Sequence, residues 1–149
     1  MSKKNHKMIK AAGALFLSRS TNRYLFLLRD DDTYSNTWGL VGGRVENNEQ
    51  IIECLHREIN EEIGSVENII KIIPLDLYTS QDEKFEYHTF ACVVENEFIP
   101  KLNYEHKGYC WTTLDGIPKP IHPALYNSIQ LDELKNKLKS LNEIICQLD

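Results

Sequence analysis

No two of the four cysteines stand close together. Cys54, Cys92, Cys110 and Cys146 are 38, 18 and 36 residues apart, so there is no C-x-x-C pair, and zinc-ribbon and dithiol redox readings fail. The thiols read as free and buried, in a reducing compartment. Glycine and proline are sparse, at 7 and 5 of 149 residues, which excludes collagen-like and low-complexity chains. No apolar run reaches the roughly 18 residues needed to cross a bilayer. Positive charge is in deficit: 17 Lys and Arg against 22 Asp and Glu leave a net charge of −5. Tracking along a nucleic-acid backbone runs on Lys and Arg contacts, so nucleic acid is not expected as the main partner. Small phosphorylated ligands stay open, because a bound cation reverses the local field.

What remains is a chain with 42% hydrophobic and 26% charged residues, the composition of a folded domain. A length of 149 residues fits one domain, spanning 1–149 with residues 1–7 as a flexible tail. Lys3, Lys4, Lys7 and Lys10 precede an apolar run, Ala11 to Leu17, as in a short signal peptide. Yet the polar stretch Ser18 to Arg23 has no small-x-small cleavage pattern, and a second apolar run, Tyr24 to Leu28, follows at once. The pair reads as a β-hairpin from Ile9 to Arg29, and the protein is expected in the cytoplasm.

A polar loop, 30–37, leads to Trp38–Val45, where Gly39, Gly42 and Gly43 mark a close backbone approach. Asn47 and Asn48 suit the N-cap of a helix from Glu49 to Ile63, and Gly64 its C-terminal stop. Ile51, Ile52, Leu55 and Ile59 form the side that docks on the core. Strands are expected at Ile69–Tyr78, interrupted by Pro74, at Phe85–Val94 and at Tyr109–Thr112. Pro123 suits the first turn of a C-terminal helix, on which Leu134, Leu138, Leu141 and Ile145 recur at helical spacing. That stripe packs on the chain's own sheet or on a second subunit. The order gives a mixed α/β domain.

Chemistry concentrates between Gly43 and Ser65. On the expected helix Glu58, Glu61 and Glu62 fall at i, i+3 and i+4 and share a face. Like charges at this spacing cost roughly 0.2–0.5 kcal/mol per pair, a cost that a solvated acidic face can carry. Oxygen-rich clusters are also what Mg²⁺ or Mn²⁺ selects. Arg57 sits among these carboxylates and can orient one by a bidentate pair.

The spaced pattern resembles the Nudix box, Gly-x5-Glu-x7-Arg-Glu-U-x-Glu-Glu-x-Gly-U with U aliphatic. Gly43, Glu49, Arg57, Glu58, Glu61, Glu62 and Gly64 match, and Ile59 fills the first U. Ser65 departs at the last U, and Val41 stands where many members have proline. A match of this kind arises by chance in about one chain in ten million at ordinary residue usage. The leading hairpin, the Trp38–Gly43 entry and a later strand with Trp111 also resemble the family.

The resemblance implies a Nudix fold, an α/β/α sandwich around a mixed sheet. It implies a divalent-metal-dependent pyrophosphohydrolase that cleaves a nucleoside diphosphate linked to another moiety. Glu58, Glu61 and Glu62 are then the metal ligands for Mg²⁺ or Mn²⁺, completed by the Gly42 carbonyl. Glu49 and Arg57 hold the carboxylates in register, with Gly43 and Gly64 supporting the box. Glu105 is the candidate general base, ahead of Glu83 and Glu86. Arg29 is the candidate phosphate contact. Trp38 either stacks on a base or belongs to the core, and Tyr78, Phe85 and Tyr87 either line a base pocket or, as the first reading, pack in the core. His88 reads as a packed or surface histidine.

The leaving group is not encoded in the box. Pro74 and Tyr78 do not sit where ADP-ribose or dinucleoside polyphosphate hydrolases carry their markers. Nucleotide sugars and ADP-ribose, dinucleoside polyphosphates and nucleoside or deoxynucleoside triphosphates stay open, with an RNA 5′-end pyrophosphohydrolase or a silent nucleotide-binding module as alternatives. Oligomeric state stays open: own-core packing of the C-terminal helix is the default, and a homodimer rests on analogy alone.

Overall fold

The structure is a computed structural model that describes residues 8–130, 132–145 and 147. The expected tail, 1–7, and Cys146 lie outside the described residues. Among the described residues seven strands and three α-helices follow in order: β1 Ile9–Ser18, β2 Tyr24–Arg29, β3 Trp38–Gly39, β4 Val41–Arg44, α1 Ile51–Ile63, β5 Ile69–Thr79, β6 Phe85–Val94, β7 His106–Thr112, α2 Pro123–Ile129 and α3 Asp132–Ile145, with a 3-10 turn at Leu114–Gly116. The strands form one mixed sheet in the order β3-β2-β1-β6-β5, with β4 on β1 and β7 on β2.

β1 organises the fold. It is buried from Ala11 onward, which its unbroken apolar run requires, since helices cover both faces of the sheet. Alternate residues serve opposite layers. Leu15 and Leu17 join Leu75, Ala91, Val93 and the helical residues Leu125, Ile129, Leu134, Leu138, Leu141 and Ile145 on one side. Ala12, Ala14 and Phe16 join Leu25, Cys92 and the α1 residues Cys54, Leu55, Ile59 and Ile63 on the other. The result is an α/β/α sandwich. The α3 stripe is therefore spent on the chain's own sheet.

The leading hairpin is paired only at its base, Leu17 with Tyr24. Beyond that point β1 takes β4 as its antiparallel partner from Ala11 to Ala14, and β2 turns away to pair β7 and β3. On its other edge β1 runs parallel to β6 along all ten residues. The sheet thus divides into a β1–β4 arm and a β2–β7 arm, and the candidate site lies where the two meet.

Local chemistry moves several expected boundaries. α1 starts at Ile51 rather than Glu49. The Glu49 N–H donates to the Glu46 carbonyl (3.1 Å), and Asn48 takes φ +63°, a left-handed turn that Asn tolerates. Gln50 caps the helix instead, its N–H donating to the Glu53 carboxylate at 3.0 Å. Ile52 is 39% exposed and does not dock. Pro74 does not end β5: the strand crosses it with a register shift before Asp76, as an edge strand allows. β7 begins at His106, three residues earlier than expected, because β2 continues the ladder to Arg29. The expected C-terminal helix is two helices, with Pro123 in the first turn of α2.

Candidate active site

α1 docks on β4 through two of its carboxylates. Gly42 and Gly43 pair with Gly13 and Ala12 of β1. A Cβ at Gly42 would collide with the Ala12 carbonyl, and one at Gly43 with the Glu58 carboxylate. Side chains are excluded at both places, so helix and strand approach closely. The Gly42 N–H donates to Glu62 Oε2 at 2.9 Å. Glu62 is 2% exposed and Glu58 8%. Glu61 points outward, its side chain 52% exposed. The contact found for Gly42 is thus through its amide. Gly64 follows with φ +81° and ends the helix.

Arg57 ties these groups together. Its Nε and Nη2 donate to the two oxygens of Glu49 at 2.7 and 3.0 Å. Its Nη1 donates to Glu58 Oε1 at 2.9 Å and to Glu61 Oε2 at 3.2 Å. Nη2 also reaches the Arg44 carbonyl at 2.9 Å, which pins the exit of β4. The planar fork of Arg suits such a knot where a Lys ammonium would not. Held by Arg57, the Glu49 carboxyl falls to about 2. Glu62 moves the opposite way, well above the usual carboxylate range, because burial and the neighbouring Glu58 carboxylate disfavour its charge.

The second arm supplies the remaining candidates. The segment before β7 is laced to the end of α1: the Lys101 and Asn103 N–H groups donate to the Ile63 and Glu62 carbonyls at 2.9 and 3.3 Å. These bonds satisfy carbonyls that the helix end leaves open. The Asn103 side chain accepts the Glu105 N–H at 3.0 Å, and the Glu105 carbonyl accepts the Asp30 N–H at 2.8 Å. The Glu105 carboxyl is raised by partial burial and by the charges of Glu58, Glu61 and Asp31, which Arg29 partly offsets. Arg29, at the end of β2, is forked onto the Asp31 carboxylate.

Arg29, Gly42, Gly43 and Glu105 all line one cavity of about 740 Å³. It lies over the sheet face covered by α2 and α3, where Leu15, Phe26, Leu75, Leu134 and Leu138 form apolar wall. Tyr78, Phe85 and Tyr87 also line it, with polar groups on Asp76, Thr89, Asn127 and Ser128. The Tyr87 ring lies against Gly13, where a Cβ would overlap the phenol. Burial and nearby carboxylates raise the Tyr87 hydroxyl pKa, so the group stays a neutral donor. These three aromatics stand outside the two buried clusters and pack on one another along the cavity, as the base-pocket reading has it. Trp38 does not reach the cavity: half-buried, it packs on the α2–α3 side of the core. Glu83 sits at φ +59° in the β5–β6 turn. Glu86 and His88 lie on β6, with Glu86 Oε2 3.6 Å from His88 Nε2 and no hydrogen bond to that nitrogen among the described residues.

Among the described residues no three His, Cys, Asp or Glu side chains converge tightly enough to hold a metal as they stand. The donor set nevertheless fits a hard divalent cation. Glu62 and Glu58 are two adjacent, nearly dry carboxyls, an oxygen pair of the kind such an ion takes. Glu61 needs only to turn from its single 3.2 Å contact with Arg57.

Sequence reasoning did not single out His106. It is 7% exposed, its Nδ1 lies 3.6 Å from Glu62 Oε1, and that nitrogen has no hydrogen-bond partner. Burial and Arg29 push it down to about 4, leaving the ring neutral at pH 7. Its place directly after Glu105 was the available signal.

A sequence model described as the NUDIX domain matches residues 7–131. The nucleoside triphosphatase NudI of Escherichia coli O17:K52:H18 is 34% identical over 108 residues, covering 64% of this chain and 76% of the relative. The Nudix domain of Shewanella oneidensis NrtR, solved with ADP ribose, superposes with a TM-score of 0.69 at 16% identity, over 92% of each chain. A Caenorhabditis elegans Ap4A hydrolase superposes at 0.63 and 16% identity, over 95% of this chain and 100% of the other.

Proposed function

The chain belongs to the Nudix family and is a hydrolase acting on phosphoric anhydride bonds; from that premise we propose that it is a divalent-cation-dependent pyrophosphohydrolase of small nucleotides, nucleoside triphosphates first among them. One observation carries this reading. The dry Glu58–Glu62 pair stands against Gly42 and Gly43, and those glycines also line a 740 Å³ cavity with an aromatic wall. A nucleoside laid in that cavity brings its phosphate chain to the carboxylates. Nucleoside triphosphates lead because the 34% identical relative is a nucleoside triphosphatase.

Glu58, Glu61 and Glu62 are the proposed cation ligands, with Mg²⁺ or Mn²⁺ as the ion. When bound, the ion neutralises phosphate charge, polarises phosphorus and makes a bound water more acidic. The chain's own groups do the rest. Arg57 and Glu49 fix where Glu58 stands. Gly42 holds Glu62 through its amide. Glu105 accepts the proton of the attacking water, a role its raised carboxyl suits better than an ordinary one. Water oxygen bonds to phosphorus as the anhydride P–O bond breaks, and the leaving phosphate or pyrophosphate departs with the bond pair. Arg29 faces the developing charge once Asp31 shares it. Positioning and charge neutralisation supply most of the acceleration in such transfers.

The test is a substrate panel. Purified protein with Mg²⁺ is offered nucleoside triphosphates, oxidised deoxynucleotides, ADP-ribose, dinucleoside polyphosphates, nucleotide sugars and a 5′-triphosphorylated RNA, and products are separated by chromatography. The reading expects a nucleoside triphosphate to lead by orders of magnitude. Preference for another member replaces the substrate, and silence on all with Mg²⁺ and Mn²⁺ removes the reading.

A further inference from the structure

Glu62 Oε2 is held by the Gly42 amide, but Oε1 faces the ring of His106. We infer that His106 is a positioning residue for the cation site, donating its Nδ1–H to Glu62 Oε1 when that carboxylate is engaged by a cation. The inference rests on the proposed function above, in which Glu62 is a cation ligand.

Three observations support it. The two groups come from separate parts of the fold, so their meeting is made by the tertiary structure: His106 opens β7, and Glu62 lies on the last turn of α1, the helix docked on β4. Both side chains are nearly dry, at 5% and 2% exposure, and Nδ1 has no other partner among the described residues. A buried ring nitrogen left unpaired costs about 1–3 kcal/mol, so a partner is to be expected nearby, and Glu62 Oε1 stands at 3.6 Å. That distance is too long for a hydrogen bond, and a shift of about half an ångström closes it. The backbone already holds the register: the His106 N–H donates to the Asn103 carbonyl, and the Asn103 N–H to the Glu62 carbonyl, each at 3.3 Å. With both oxygens engaged, by Gly42 behind and His106 beside, Glu62 has one orientation left. Partners of this kind orient a ligand carboxylate, and their loss weakens metal binding by about 10–100-fold.

The test titrates the metal-free protein with Mn²⁺ and reads the free ion by electron paramagnetic resonance, without substrate. His106→Leu should weaken Mn²⁺ binding by about 10–100-fold. His106→Asn, which returns an N–H donor near the Nδ1 position, should recover it to within about threefold. A role in packing alone predicts that Leu, the better space-filler, is no worse than Asn, and that result overturns the inference. Wild-type binding matched by His106→Leu overturns it while sparing the proposed function; a wild type that binds no Mn²⁺ overturns both. A measurement on the wild type covers the case of a variant that fails to fold. A long-range ¹H–¹⁵N spectrum with Mg²⁺ should show the His106 proton on Nδ1, and a proton found only on Nε2 overturns the inference.

Discussion

The two faces of the sheet do different work. On the α1 face, Ala12 and Ala14 let the helix lie close, and the layer brings its carboxylates to a rigid rim. On the α2–α3 face larger side chains line up, yet they leave about 740 Å³ open. The first face is built to fix charged groups, the second to receive a molecule. The difference also separates what one segment can encode from what only the folded chain assembles. Gly42 to Gly64 supplies nearly everything on the carboxylate side, whereas the cavity takes residues from β1, β2, β5, β6, α2 and α3.

The comparison breaks first at Glu62. Glu62→Gln should lower hydrolysis by about three orders of magnitude and leave the far-ultraviolet circular dichroism unchanged. Full activity in that variant would make the carboxylate face an ordinary acidic surface. Next comes Gly43→Ala, whose Cβ meets Glu58. Displacing that carboxylate by about 1 Å should cost about 100-fold in kcat, while KM for nucleotide moves little. A matching change on the other face, Asn127→Leu, should do the reverse. A hydrogen bond to an uncharged base contributes about 0.5–1.5 kcal/mol, so the KM ranking among bases should shift by about two- to tenfold with kcat kept. Equal effects on both parameters in both variants would erase the division of labour.

Smaller effects test the supporting contacts. Glu49 is held as an anion down to about pH 2, against 4.5 in a free chain. A depressed carboxyl contributes stability that is whole above about pH 4.5 and lost as pH falls toward 2. Thermal melts of Glu49→Gln should therefore lie below wild type at neutral pH and converge with it through that window. The smallest effect concerns thiols. Burial pushes Cys54 and Cys92 up to about 11 and 12, so iodoacetamide at pH 8 should leave both unmodified in the folded protein and modify them once urea is added. Both thiols sit on the carboxylate face's core, so their labelling would report a loose α1.

Much of the first face was legible in the sequence. Helix periodicity put Glu58 and Glu62 on one side, and the paired glycines marked the strand they meet. β6 was read to the residue, because its run from Phe85 to Val94 has no competing signal. The N-terminus of α1 was misplaced because Asn47 and Asn48 look like caps, while the Glu49–Arg57 pair, eight residues apart, holds that stretch in a turn. The cavity was legible only as the second reading of Tyr78, Phe85 and Tyr87, since aromatics on β5 and β6 have the same local pattern as core residues. His106 was missed for a related reason: its contact with Glu62 spans 44 positions and depends on how β7 pairs with β2.

The most direct measurement is the rate of nucleoside triphosphate hydrolysis by the wild type and by Glu62→Gln, each with Mg²⁺ and with excess chelator. The account predicts turnover in one of the four samples, the wild type with Mg²⁺. Turnover that survives the chelator, or that persists in Glu62→Gln at the wild-type rate, would contradict it.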